Sequence, residues 1–162
     1  MTQAEKDKLI KDLQEKLAEA EKIKVEQPKR WKPECKMGYY YLDDYGDLLH
    51  DLWYGAEDDE WRYLTGNCFK TEEEAEEYKK QIEYTARYKN YIEEHSRPLD
   101  WDDWEQNKFG AYYDYNDKVI SVDKTGMFVD QGTIYASSAQ IIWDAIKEIG
   151  EDNFKKYVLG VK

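Results

Sequence analysis

Carboxylates are the side chains in this sequence with the most chemical potential, and a dense group of them lies between residues 39 and 60 without any lysine or arginine. Paired carboxylates act as acid and base in glycosidases, and carboxylate clusters bind divalent metal ions in nucleases. Aspartate is also common in hairpin turns for conformational reasons alone, and no histidine or lysine joins these acids in a recognisable catalytic arrangement. We therefore expect neither catalysis nor a bound metal or other cofactor. The acids are Asp43, Asp44, Asp47, Asp51, Glu57, Asp58, Asp59 and Glu60.

Aromatic residues alternate with these acids, at Tyr41, Tyr45, Trp53 and Tyr54. Aromatic anchors dominate binding energy at protein interfaces, and complementary charge steers the partners together. The segment therefore predicts a protein-binding surface that fits an Arg- and Lys-lined groove of the kind that holds nucleic acid, which is DNA mimicry by charge. The predicted contact residues are Asp43, Asp44, Asp47, Asp51, Trp53, Asp58, Asp59 and Glu60.

Other candidate groups carry less information. His50 and His95 stand in a predicted strand and at a predicted helix end, where an ordinary packed or solvent-facing imidazole is the usual finding. Cys35 and Cys68 are too few and too far apart for a zinc motif. No Ser-His-Asp order, glycine-rich phosphate loop or Cys-His pair has usable context. The sequence predicts a protein that is not an enzyme.

Trp101 and Trp104 stand three residues apart in an acid-rich segment. They either clamp a planar ligand or cover the edge of a sheet, and the size of aromatic side chains favours covering. A nucleotide held by stacking would also need cations for its phosphates, such as Arg62, Arg87 or Lys108. This pattern keeps open an alternative function, a sponge that sequesters a nucleotide signal.

Net charge narrows the choice of partners. The chain has 162 residues, of which 24 are Lys or Arg and 36 are Asp or Glu, for a formal net charge of -12. Nucleic acid and anionic lipid both require a positive field, so neither is expected as a direct partner. The first residues do not resemble an export signal and no apolar run reaches membrane-spanning length, so we expect a cytoplasmic protein with reduced thiols.

An N-terminal helix is predicted over residues 1–26, starting at a capping box of Thr2 and Glu5. Its apolar residues follow the three-four spacing of a coiled coil. This stripe either docks on the same chain or forms a homodimer. A linker over 27–37 follows, because Pro28 and Pro33 interrupt both helix and strand. The stripe consists of Ile10, Leu13, Leu17 and Ala20.

Two related units, 38–97 and 111–162, are predicted on either side of a connector over 98–110. Each reads as three strands followed by a capped helix, with capping boxes at Thr71-Glu74 and Ser137-Gln140. The first hairpin turns at 43–47 and the second at 116–117, and the third strands are placed at 61–69 and at 127–135. The fold class is therefore α+β, an N-terminal helix followed by two units of small antiparallel sheet plus helix.

Helical periodicity places the apolar faces of the two capped helices. The first spans 72 to about 94 and the second ends at Gly150, a residue suited to a helix stop. A further short helix is expected over 152–159. The first helix presents Ala75, Tyr78, Ile82, Ala86 and Tyr88 or Lys89, and the second Ile141, Ile142, Ala145, Ile146 and Ile149.

The segments 31–33, 39–41, 66–75, 134–138 and 145–150 together make the chain resemble small acidic proteins from phages and prophages of Gram-positive bacteria. The resemblance covers nearly the whole chain and implies no catalytic residues. It implies an inhibitor of host defence, a group that includes anti-CRISPR and anti-restriction proteins.

The charge pattern and the resemblance lead to one prediction. The chain is expected to be a phage-encoded anti-defence protein that binds and inhibits a bacterial nucleic-acid-processing defence protein, best a Cas nuclease, in the cytoplasm of the infected host. Two alternatives remain: the nucleotide sponge, and a non-enzymatic structural or regulatory phage protein that dimerises through residues 9–21.

Overall fold

The computed structural model describes residues 30–125 and 128–162, together with Lys6, Ile10 and Lys16. The chain divides into two compact units, Met1–Lys32 and Pro33–Lys162. In the first unit, Lys6, Ile10 and Lys16 are helical, and Ile10 is 53% exposed. The other residues of the predicted dimer stripe, which are Leu13, Leu17 and Ala20, lie outside the described residues.

The second unit is an α+β structure with two small antiparallel sheets, as the sequence predicts in outline. The elements, in chain order, are strands β1 (Gly38–Leu42) and β2 (Leu48–Leu52), helices α1 (Glu57–Thr65) and α2 (Glu72–His95), strands β3 (Lys108–Asp114), β4 (Val119–Thr125) and β5 (Tyr135–Ala136), and helices α3 (Ala139–Ile149) and α4 (Glu151–Asn153, continued by a π-helical turn at Phe154–Val158).

The first sheet is the predicted hairpin of β1 and β2, in register from Gly38 opposite Leu52 to Leu42 opposite Leu48. Its turn is closed by Asp43, whose Oδ1 accepts hydrogen bonds from the backbone N–H groups of Tyr45 at 2.9 Å and Asp47 at 2.8 Å. Such side-chain-to-backbone bonds are the reason that aspartate is frequent in turns. The turn is therefore fixed by its own sequence.

The predicted third strand over 61–69 is wrong, because Glu57–Thr65 forms helix α1 instead. Four acids in its first turn lie at the positive end of the helix dipole. Gly66 then ends the helix at φ 89°, in the left-handed region that favours glycine. The next residue, Asn67, pairs with Leu42 through its side-chain amide. Within residues 61–69, Phe69 alone pairs with a strand through its backbone, opposite Tyr40 of β1.

The second sheet has the strand order β4-β3-β5. The predicted third strand over 127–135 is wrong for residues 128–134, which lie outside any strand, and strand β5 is limited to Tyr135–Ala136. Residues 126 and 127 lie outside the described part of the chain. The segment that leads into β5 approaches β3 closely at Gly110, where a Cβ atom would lie 2.9 Å from Cγ2 of Thr133 and 3.1 Å from the ring of Tyr135. A larger residue at this position would therefore have to displace these side chains.

One element of the predicted repeat is present in both halves. Phe69 pairs with β1 just before α2, and Tyr135–Ala136 pairs with β3 just before α3. Thr71 caps α2 as predicted, accepting a hydrogen bond from the N–H of Glu74 at 3.2 Å. The second cap is Ser138 rather than Ser137, because Ser137 bonds the end of α2 instead. The halves differ mainly in α1, which precedes Phe69 in the first half, whereas residues 128–134, before β5 in the second half, are not helical.

Helix α2 contributes to the packing of both sheets. Ala75 in its first turns is fully buried, and Tyr88 and Ile92 belong to the main core. The predicted stripe is correct at Ala75 and Tyr88 but wrong at Ile82 and Ala86, which are exposed. The buried positions of α2 therefore do not form one straight stripe. They lie at Ala75 near its start and at Tyr88 and Ile92, in the main core, near its end. The other core residues are Ile120, Ala136, Ile142, Ala145, Ile146, Ile149 and Phe154, which include the predicted face of α3.

Candidate functional site

A groove lies between the turn of the first hairpin, helix α1 and the middle of helix α2. One depression of about 620 Å³ has a lining that includes Asp43, Asp44, Tyr45, Trp61, Thr65, Lys79 and Ile82. A neighbouring depression of about 450 Å³ shares the first five of these residues and adds Tyr41, Asp58 and Arg62. We refer to the two depressions together as the hairpin–helix groove.

Two aromatic side chains of the groove are exposed to solvent. Tyr45 is 92% exposed and Trp61 is 67% exposed. Trp61 was missed among the predicted contact residues because its segment was assigned to a strand. The signal that could have found it is helical spacing, since Asp58, Trp61 and Thr65 follow one another at three and four residues and so share a helix face.

Three of the predicted acids, Asp43, Asp44 and Asp58, come together in this groove. Among residues 30–125 and 128–162, no lysine or arginine lies within ion-pair distance of any of the three. Asp43 is half-buried in its turn, whereas Asp44 and Asp58 are exposed. The groove therefore combines three acids that form no ion pair among the described residues with accessible aromatic surface, and its lining also includes the cations Lys79 and Arg62.

Two predicted contact residues, Trp53 and Asp59, are buried, with 5% and 4% of their surface exposed. A partner of the folded protein does not reach either side chain, so their assignment to the contact surface is wrong. Trp53 packs edge-on against the rings of Tyr39 and Tyr63, at centroid distances of 5.8 and 6.3 Å. These residues belong to the scaffold behind the groove, because both side chains face Tyr39 of strand β1 and not the solvent.

Asp59 is the central hydrogen-bond acceptor of that scaffold. Its Oδ1 accepts from the hydroxyl of Tyr39 at 2.7 Å, and its Oδ2 accepts from the N–H groups of Tyr54 at 2.9 Å and Ala56 at 3.1 Å. Burial alone would raise the pKa of Asp59, but these hydrogen bonds outweigh burial and hold the pKa below its usual value. The carboxylate thus fixes the start of α1 against β1 and the end of β2.

Arg62 lies one turn after Asp59 on the same side of α1 and also bonds the helix to the first sheet. Its guanidinium donates to the Tyr39 hydroxyl at 2.7 Å and to Oδ2 of Asp51 at 3.2 Å, and its Cζ lies 3.7 Å from the centre of the Tyr41 ring. The predicted contact residue Asp51 is therefore paired within the chain. Asp47 and Glu60, the remaining predicted contacts, do not line the hairpin–helix groove.

Of the residues considered for a nucleotide site, Lys108 lies beside Trp101, with its Nζ 5.3 Å from the ring centre, whereas Arg62 and Arg87 lie elsewhere. Trp101 packs edge-on against Tyr135 of β5 at 5.2 Å, and Trp104 is 68% exposed. The Nζ of Lys108 is bonded to the backbone oxygens of Asp103 at 2.8 Å and Gln106 at 2.9 Å. The guanidinium of Arg62 is held as described, and that of Arg87 lies over the Tyr84 ring. Each of the three cations thus has contacts of its own at a different place.

Both histidines pack against aromatic rings. His50 packs on the Tyr40 ring and His95 stacks on Tyr91. In the described part of the chain, no group of His, Cys, Asp or Glu has the arrangement of a metal site, and neither the exposed Cys35 nor the buried Cys68 is in a disulfide. Across the same residues, no helix combines the length and the apolar character that crossing a membrane requires.

A third depression, of about 810 Å³, lies between α2 and the C-terminal residues. Its walls carry charges of both signs, and Glu77 forms an ion pair with Lys156 at 2.7 Å. The aromatic residues that line it, Phe69, Tyr78 and Tyr157, are half-buried or buried, unlike Tyr45 and Trp61 of the hairpin–helix groove. The hairpin–helix groove is therefore the better candidate site.

Comparison of the chain with protein-family models, with curated proteins and with solved structures found no match. The resemblance to phage proteins and the functions expected from it stay predictions.

Proposed function

We propose that this protein acts without catalysis, by binding and inhibiting a bacterial nucleic-acid-processing defence protein, with a Cas nuclease as the most specific candidate. The observation that carries the proposal is the convergence of Asp43, Asp44 and Asp58 around the exposed ring of Trp61 in one groove. The binding face is thus smaller than the segment predicted from sequence, and it is centred on helix α1 and the hairpin turn.

The groove has the two components that a protein interface needs. A tryptophan that becomes buried on binding typically contributes about 2 kcal/mol or more, whereas charges at the rim mainly set the association rate and the choice of partner. Trp61 suits the first role because much of its ring is accessible in the free protein. The three unpaired carboxylates suit the second role.

Charge also defines the partner. With a formal net charge of -12, the chain attracts cationic surfaces and repels phosphate. A protein that binds DNA or RNA offers such a cationic surface, and covering that surface would block its substrate. Inhibition would then depend on stoichiometric occupancy and not on turnover.

The proposal is tested with a purified candidate Cas nuclease, by measuring both its association with the protein and its cleavage of DNA. The test variant carries Asp43→Asn, Asp44→Asn and Asp58→Asn, in which asparagine at 43 can still close the turn. The matched control carries Asp102→Asn, Asp117→Asn and Asp152→Asn, which removes the same charge from exposed sites outside the groove.

We expect the groove variant to lose at least about tenfold in affinity and to inhibit correspondingly less, while the control stays close to the unmodified protein. Equal losses in both variants would mean that only net charge matters and would contradict the assignment of the groove. Thermal stabilisation by nucleotides without any protein partner would instead favour the sponge.

A further inference from the structure

We infer that the hairpin–helix groove recognises arginine side chains of its protein partner, with the guanidinium lying on Trp61 and facing the carboxylates of Asp44 and Asp58. This inference rests on the proposed function and specifies the chemistry of the partner. The occupant is a basic protein segment that presents arginine.

The first argument is that the same face of the protein already holds one guanidinium in this way. Arg62 lies with its Cζ 3.7 Å from the centre of the Tyr41 ring while it donates to Asp51 at 3.2 Å. Tyr41 and Arg62 line the same depression as Asp58 and Trp61. A ring combined with a carboxylate is thus an arrangement that this surface builds for its own arginine.

The second argument is that an equivalent set of groups is left open beside it. Trp61 is 67% exposed, and indole is the best of the aromatic faces for a cation. Among the described residues, Asp44 and Asp58 have no basic side chain within ion-pair distance. Two cations line the groove as well: Arg62 is committed to Tyr39, Tyr41 and Asp51, and Lys79 forms no ion pair with Asp44 or Asp58.

The groove favours arginine over other cations for physical reasons. The guanidinium is planar and weakly hydrated, and it can stack on a ring while it donates two parallel hydrogen bonds to a carboxylate. The ammonium group of lysine is compact and strongly hydrated, so it loses more on leaving water. The groove therefore distinguishes two side chains of equal charge.

The test compares an arginine-rich peptide with the peptide in which lysine replaces every arginine, using titration calorimetry with the full chain at physiological salt. Because both peptides carry the same charge, any general attraction to the acidic protein is equal for the two. We expect the arginine peptide to bind about fivefold more tightly, which is the contribution of one cation–π contact.

Two substitutions locate the effect. Trp61→Leu is expected to abolish the preference for arginine, whereas Trp104→Leu is expected to leave it intact. The second is a matched control because Trp104 has nearly the same exposed fraction, 68% against 67%, and lies outside the groove. Circular dichroism spectra of both variants verify that α1 is retained.

Equal affinity for the two peptides, no binding of either, or a preference that persists in Trp61→Leu would each overturn the inference. None of these outcomes decides the proposed function, which is judged by the nuclease assay with the three-aspartate variants. A protein that inhibits the nuclease but does not prefer arginine would therefore refute the inference alone.

Discussion

Asp59 illustrates how one residue can belong to an acidic segment of the sequence and yet not to its exposed acidic surface. Its carboxylate satisfies three donors, from Tyr39, Tyr54 and Ala56, at a site with 4% exposure. An unsatisfied buried donor costs about 1–3 kcal/mol, so each of these bonds matters for the fold. Because Trp61 is only two residues further along α1, Asp59 also determines where the groove places its aromatic anchor.

Replacing Asp59 by asparagine tests this role through its pH dependence. The pKa of Asp59 is lowered in the folded state, so its contribution to stability is present above the unfolded pKa of about 4 and is lost as the pH falls through the folded value. We expect Asp59→Asn to reduce the free energy of unfolding by about 2 kcal/mol at pH 7, because an amide nitrogen would face donors. Below pH 4 the difference from the unmodified protein should shrink.

Urea denaturation at neutral and acidic pH measures both values. The control is Asp58→Asn, which removes the neighbouring, exposed carboxylate and is expected to change stability little. A loss in Asp59→Asn that stays constant with pH would refute the role assigned to the ionised carboxylate.

At the scale of an element, helix α1 shows that local sequence signals do not always suffice to predict secondary structure. The hairpins, the helix over 72–95 and the buried face of α3 follow from turn residues, caps and periodicity, and all of them could be predicted. The segment 61–64 has strand-forming residues, and only its contacts with β1 make it helical. Those contacts are the bonds of Asp59 and Arg62 to Tyr39, which lie about twenty residues away in sequence.

The candidate site, like the fold, was predicted from the sequence in part. Asp43, Asp44 and Asp58 were identified by charge, because exposed acids reveal themselves in composition. Asp59 was wrongly included and Trp61 was missed because helix α1 was not predicted, whereas Trp53 was wrongly included because the side of its segment that faces the core was not known. Distinguishing the two sides of a segment requires knowing its period, and that period was set by tertiary contacts.

The start of α1 offers a direct test of what stabilises this element. Its N-cap residue is Ala56, which has no side chain that could accept a hydrogen bond, although its backbone is extended as a cap requires. We expect Ala56→Ser to raise the free energy of unfolding by about 1 kcal/mol, since the hydroxyl can accept from the N–H of Asp59.

The matched control is Ala86→Ser, at an exposed position inside helix α2. Serine there should lower stability by about 0.5 kcal/mol, because it has a lower helix propensity than alanine and no cap to complete. Thermal denaturation of both variants gives the comparison. Destabilisation by Ala56→Ser would show that α1 does not begin at this residue.

Across the whole molecule, the excess of acids opposes folding at the same time as it directs binding. A formal net charge of -12 produces self-repulsion, which salt screens. Among the described residues, ion pairs lie at the surface, where each contributes little to stability. Screening should therefore relieve more repulsion than it removes attraction.

We expect the melting temperature to rise by a few degrees when sodium chloride is raised from about 0.01 M to about 1 M, as the screening distance falls from about 30 Å to about 3 Å. The variant with Asp43, Asp44 and Asp58 changed to asparagine should show a smaller rise, because it begins with less repulsion. Scanning calorimetry measures both. A melting temperature that falls with salt in the unmodified protein would mean that attractive pairs outweigh the repulsion.

Helix α2 has a consequence for the thermodynamics of recognition. One continuous helix presents Ile82 to the groove and carries Tyr88 and Ile92 into the main core. This wall of the groove is thus anchored by the most deeply packed part of the second unit. The groove should therefore be ordered before its partner binds. The entropic cost of ordering on association then falls mainly on the partner's basic segment.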